Sequence, residues 1–158
     1  MSDDRVRGAK GPMTISWEPY LDAGEASEAD LLQAEQQLGI RFPDDLRDLL
    51  RLRQGMAPEP SMVRKFNAHV CNLMHVNARR QGGDYIPRAV EILRGGGYPQ
   101  NLIPFATGGS QTHFALAYGA RQEPSVVYVV LEFGYDDPRV VRPVAATVTD
   151  FLEMLESE

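Results

Sequence analysis

Three residues whose side chains can ligate or attack stand close together in this chain: His69, Cys71 and His75, spaced H-x-C-x3-H. Imidazole and thiolate are ligands that zinc prefers, and on one unbroken strand the three positions would share a face. A strand rises about 3.3 Å per residue, however, which sets His69 and His75 roughly 20 Å apart, too far to share one ion. Only a bend would bring them together. Cys71 beside a histidine is also the pairing a thiol nucleophile needs, but its neighbours Val70 and Leu73 point to a small buried hydrophobe. Ser110, in Gly108-Gly109-Ser110-Gln111, lacks the Gly-x-Ser-x-Gly elbow of a serine nucleophile and has no identified acid partner. Gly95-Gly96-Gly97 follows an expected helix and not a strand, the wrong order for a phosphate cradle, and more simply ends that helix. No catalytic residue, cofactor or metal ligand is assigned on these patterns.

The carboxylates carry a different chemistry. Asp44-Asp45 and Asp136-Asp137 are adjacent pairs, and adjacent residues of a helix do not face one way, which argues against an acid/base dyad. The first pair complements a helix N-terminus and the second precedes Pro138 in a turn. Their remaining role is electrostatic. Exposed carboxylates at Asp44, Asp48, Glu132, Asp136 and Asp137 would steer a basic protein partner and occupy its cleft.

The elements that must hold these residues follow from the hydrophobic pattern. Ser27 and Asp30 have capping-box spacing ahead of a helix through Leu31, Ala34, Glu35 and Leu38, and Gly39 stops it. Pro43 keeps Phe42 extended, Asp44 and Asp45 open a second helix, Leu46, Leu49 and Leu50 form its apolar face, and Gly55 ends it. LGIRFPDDLRDLLRLRQG thus spells stop, reversal and restart, with Phe42 as a plug in the corner. After the proline-rich connection Ala57 to Ser61, the stretch from Lys65 to Val76 alternates as one bent strand or two short ones. A short helix is expected from Pro87 to Leu93. Strands are then expected over Leu102 to Phe105, His113 to Tyr118, Val126 to Phe133 and Val140 to Val144, with short turns that imply antiparallel neighbours. Thr147 and Asp150 repeat the capping spacing before a closing helix with Val148, Phe151, Leu152 and Leu155 inward. The expected class is α+β: an N-terminal helix pair, a mostly antiparallel sheet of about five or six strands and a C-terminal helix.

Composition bounds the rest. The chain has 158 residues, enough for one domain with a real core, and 13–158 are read as that domain behind a flexible leader at 1–12. Trp17 and Tyr20 are expected to dock the first segment onto it. The longest apolar runs fall far short of a membrane helix, residues 1–12 are too polar for a signal peptide, and the lone Cys71 suits a reducing compartment, so a cytoplasmic protein is expected. The net charge is −6, with 11 acids and 5 bases in residues 1–50, 3 and 8 in 51–100, and 8 and 3 in 101–158. The excess of carboxylates disfavours nucleic acid and favours a basic protein partner.

This order of elements resembles the SUKH superfamily, which includes bacterial immunity proteins and fungal cell-wall-assembly regulators. The resemblance spans roughly residues 15–156. It rests on Leu38-Gly39, the Ile40-x-Phe42-Pro43 corner and the Leu46, Leu49, Leu50 helix, supported by Leu102-Ile103-Pro104-Phe105-Ala106, Val127-Tyr128-Val129 and Phe151-Leu152-x-x-Leu155. The chain departs from the pattern at Gln54-Gly55-Met56, where members read Asn-Gly-Gly, at Gly108-Gly109-Ser110-Gln111, and in Phe114-Ala115-Leu116-Ala117, which lacks an acidic residue. The resemblance implies a non-enzymatic binding scaffold: an immunity protein that contacts and neutralises a cognate toxin domain, or alternatively a regulator binding a cellular partner. An enzyme is the third and least supported reading. Tyr85, Tyr98, Tyr118 and Tyr135 are the aromatic residues available as interface anchors or as core.

Overall fold

A computed structural model describes residues 15–120 and 123–157; the expected leader at 1–12 lies outside them. Helix α1 (Glu28–Leu38) begins at the Ser27 cap, whose hydroxyl accepts from the Asp30 amide while the Asp30 carboxylate accepts from the Ser27 amide, both at 3.0 Å. Gly39 ends it at φ +71°, a left-handed conformation that a β-carbon would strain. Helix α2 (Asp44–Arg53) restarts after Pro43, and Phe42 is fully buried in the corner, as its apolar bulk beside a proline predicts.

The main sheet is a five-stranded antiparallel meander of β5 (Asn72–Leu73), β6 (Leu102–Thr107), β7 (Thr112–Ala117), β8 (Ser125–Val130) and β9 (Val141–Ala145), each beside its neighbour in sequence. Both faces of its centre are covered. Phe114 and Leu116 of β7 join the principal core, which includes Leu31, Phe42, Leu46 and Phe151, while Ala115 joins a smaller cluster with Tyr98, Leu102, Val127 and Val129. Helix α3 (Ile86–Gly95) packs on β6 and α1; α4 (Val148–Glu153), capped by the Thr147 hydroxyl, packs on α2, β8 and β9. The α+β class, the helix pair, the meander and the closing helix all match the sequence reading.

Four local expectations need correction. The connection at Ala57 to Ser61 is not merely a linker: β2 (Ala57–Glu59) pairs antiparallel with β1 (Ser16–Glu18), with Trp17 opposite Pro58. Proline is tolerated there because a two-stranded ribbon leaves one edge of each strand without ladder bonds. Trp17 packs against the core as expected, but Tyr20 is 63% exposed. The alternating stretch is broken more finely than expected, into β3 (Met62–Val63), a 3-10 turn (Arg64–Phe66), β4 (Ala68–His69) and β5. The third strand of the predicted series stops at Val130, where the next amide turns to the carbonyl of Gln111.

Candidate partner-binding surface

The corner at Phe42 fixes the outward face of α2 through a buried ion pair. Glu35 of α1 accepts from the Phe42 amide at 2.9 Å and from Arg47 Nε at 3.0 Å, and both charged side chains are only 8% exposed. Arg47 also reaches Glu28 at 2.8 Å, and Arg51 bonds the same carboxylate. Hydrogen bonds to Glu28 and then Glu35 hold the Arg47 guanidinium protonated well above its ordinary range. Two of the cations of α2 are therefore committed to α1.

The carboxylates singled out from sequence fall into two groups on separate elements. Asp44 and Asp48 are exposed on α2; Asp44 bonds Arg41 at 2.8 Å in solvent, while Asp48 has no ion-pair partner among the described residues. Asp45 is different, since its Oδ2 accepts from the Thr149 amide and hydroxyl, both at 2.9 Å, and ties α2 to α4. Glu132, Asp136 and Asp137 occupy the turn between β8 and β9. Side-chain and backbone hydrogen bonds from Arg139 hold the Asp137 carboxyl down at about 2, and the same guanidinium lies 4.1 Å from the Phe133 ring centroid. That turn is partly self-neutralised. Glu132 and Asp136 remain exposed on it.

Of the four tyrosines named as anchors or core, Tyr85 and Tyr98 are buried, Tyr118 donates its hydroxyl hydrogen to the Arg41 carbonyl at 2.8 Å, and Tyr135 is half-buried with its ring edge-on to Tyr98 at 6.0 Å. Tyr20 and Leu52, exposed by 63% and 59%, instead face one open groove of about 460 Å³ between the segment after β1 and the end of α2. Met56, Asp22 and Glu25 also line it, and among the described residues no lysine or arginine does. Leu52 could have been suspected from sequence because it falls off the stripe formed by Leu46, Leu49 and Leu50.

The groove has a built floor. Gln54 is buried and its amide donates to the Gly24 carbonyl at 3.0 Å, while its oxygen accepts from the Val76 amide at 3.0 Å. Gly55 has φ +77°, and a β-carbon there would come within 3.0 Å of the Leu21 carbonyl, so the departure at Gln54-Gly55-Met56 serves as a clamp between three segments. The Leu21 amide completes it by donating to the Gly55 carbonyl at 2.9 Å.

His69, Cys71 and His75 do not converge. The chain changes pairing partner between Val70, whose amide bonds Ser61, and Cys71, whose amide bonds Thr107. His69 Nδ1 is 2.9 Å from the Ser61 hydroxyl, the Cys71 thiol donates to the Gly108 carbonyl at 3.0 Å, and His75 Nδ1 accepts from the Asn77 amide at 3.1 Å. Among the described residues no group of three or more His, Cys, Asp or Glu is arranged to hold a metal ion. Ser110 lies in the turn between β6 and β7, and Gly95 to Gly97 close α3.

One histidine is chemically distinct. His113 of β7 is buried, with Nε2 2.7 Å from the Tyr98 hydroxyl, and burial pulls its imidazole down to about 4. Burial likewise raises the Tyr98 hydroxyl. The folded chain keeps His113 neutral where the unfolded chain, titrating near 6.5, already takes a proton. Stability from this residue is thus full above about pH 6.5 and falls by about 3 kcal/mol as the pH drops to about 4. Urea midpoints measured through that window should decline with acid, and H113Q should flatten much of the slope. His75, lowered in the same direction by burial, contributes a smaller remainder. A slope unchanged in H113Q would refute the assignment.

A family model described as SMI1 / KNR4 family (SUKH-1) matches residues 25–154, which include α1 through α4 and the whole meander. No curated protein matches the chain.

Proposed function

Since the chain belongs to the SMI1 / KNR4 family (SUKH-1), a group whose members act through protein–protein contact, we propose that it is an immunity protein that binds and neutralises a cognate bacterial toxin domain. The carrying observation is a division of labour among polar groups. Buried ones, such as Glu35, Arg47, Gln54 and His113, are each bonded to nearby structural partners, whereas Asp48, Glu132 and Asp136 are presented outward on a chain of net charge −6. Such a surface favours approach of a basic protein and blockade by occupancy, which needs affinity and no chemistry. A contact of standard size, about 1,600 Å² in total, would suffice. The work would take place in the cytoplasm, where a toxin acting inside the cell is met. No helix among the described residues is long and apolar enough to cross a membrane.

A second reading, a regulatory scaffold binding a cellular partner, comes from the resemblance to the SUKH superfamily, which includes fungal cell-wall-assembly regulators, and the family match is equally compatible with it. Genomic context separates the two: a large secreted-toxin gene beside this one supports immunity, and an isolated gene supports regulation. Co-expression with the neighbouring toxin domain should restore growth, and the two chains should copurify. Rescue without copurification would defeat direct blockade.

A further inference from the structure

We propose that the groove walled by Tyr20 and Leu52 is where the partner seats, and that it receives a basic protein segment presenting a bulky apolar side chain between lysines or arginines. The inference rests on the reading that this chain acts by binding another protein, and it adds the place and the partner's chemistry. Four large hydrophobic residues are exposed on the described surface, and two of them, Tyr20 and Leu52, face this one groove. Exposed aromatic and aliphatic side chains that meet across a cleft are the anchors on which interface energy concentrates.

Charge selects the occupant. Asp22 and Glu25 stand among the lining residues, and among the described residues the groove is lined by no cation and neither carboxylate has an ion-pair partner. Asp48 lies one helical turn before Leu52 on the same side of α2 and extends the negative field beyond the groove. Of the three arginines of α2, Arg47 and Arg51 are held by Glu28 and Glu35, and Arg53 is exposed at the end of the helix but is not among the described residues that line the groove. Phosphate-bearing ligands are repelled by such a lining, and a second copy of a chain with net charge −6 is opposed by its own charge. A basic segment gains from both the apolar walls and the carboxylates. The groove is also pre-formed, because Gln54 and the backbone bonds of Leu21 and Gly55 fix its floor, so docking spends little on ordering it.

The test is an NMR titration of the full isotope-labelled chain with a short synthetic peptide alternating lysine with leucine and phenylalanine, and with the same peptide carrying glutamate in place of lysine. The basic peptide should saturate and shift Tyr20, Leu52 and Met56, and the acidic one should not bind. Because Tyr20, Leu52, Asp22 and Glu25 are exposed, the Y20S/L52S and D22K/E25K variants should fold normally and weaken binding at least about tenfold, equivalent to roughly 1.4 kcal/mol. Shifts confined to another surface, equal binding of the two peptides, or unaltered affinity in both variants would overturn the proposal. Groove shifts on simple dilution would mark a second copy as occupant, and shifts of residues 1–14 accompanying those of the groove would mark the chain's own N-terminal segment; either result also overturns it. The groove and the immunity reading fail separately. A neighbouring toxin bound equally by the chain and by Y20S/L52S leaves immunity standing without the groove, whereas specific peptide binding with no toxin neutralised leaves the groove without immunity.

Discussion

Replacing Glu35 with alanine should lower the unfolding free energy by about 3–5 kcal/mol, one of the two largest effects expected of a single substitution in this chain. The carboxylate is 8% exposed and does two jobs: it pairs with Arg47 and accepts the Phe42 amide that leads into α2. Its removal leaves a buried guanidinium with only the half-exposed Glu28 and leaves a buried N–H without an acceptor. The remaining Glu28 contact places the expectation toward the lower end of that range. E35L/R47M should recover part of the loss, because an apolar pair of similar volume costs less than one unpaired charge, but the Phe42 amide stays unsatisfied. Urea denaturation at neutral pH measures both. A loss below about 1 kcal/mol for Glu35→Ala would mean that the pair does not hold the corner.

The second large effect belongs to Phe114→Ala, also expected to cost about 3–5 kcal/mol. Phe114 is fully buried on β7, the central strand, and its ring lies 5.0 Å from Phe151 of α4 and 5.1 Å from Tyr128 of β8. Phe105 meets Phe151 edge-on at 5.7 Å, so one truncation strips contacts from a cluster joining three strands to the closing helix. The rigid frame resists collapse into the resulting cavity, which keeps the cost high. Phe114→Leu should recover more than half of it. Equal stability of the alanine and leucine variants would show that packing of α4 on the sheet is not what the core depends on.

Much of this fold was legible because its signals are local and agree with one another. Ser27 and Asp30, Gly39, Phe42-Pro43 and Thr147 each state a boundary within a few residues of where it acts, and the short turns of the meander left antiparallel pairing as the economical topology. What sequence concealed depends on partners distant along the chain. The β1–β2 ribbon joins residues some forty positions apart, and proline at Pro58 argued against a strand. The break between Val70 and Cys71 arises because adjacent amides find acceptors in Ser61 and Thr107, which no periodicity displays.

The surface was harder to read than the core. Asp44, Asp48, Glu132 and Asp136 could be named as outward carboxylates because charge rarely buries, yet their grouping on two elements required the fold. Tyr20 looked like a docking residue and proved exposed, since apolar type alone does not decide burial for a residue with a polar tip. Gln54 illustrates the reverse: a polar residue in a turn is fully enclosed, and its amide binds segments more than twenty residues away. In this chain polar side chains inside the domain fix geometry, and those outside it supply the negative field that, on the function proposed above, a basic partner would meet.

The proposed blockade is tested most directly by purifying a toxin domain encoded beside this chain's gene and titrating it with this chain while following the toxin's activity. Activity should fall linearly to zero at one chain per toxin domain, with the complex persisting through gel filtration and D22K/E25K displacing the endpoint. Full toxin activity in the presence of excess chain, or inhibition that continues after the chain is removed, would contradict blockade by contact.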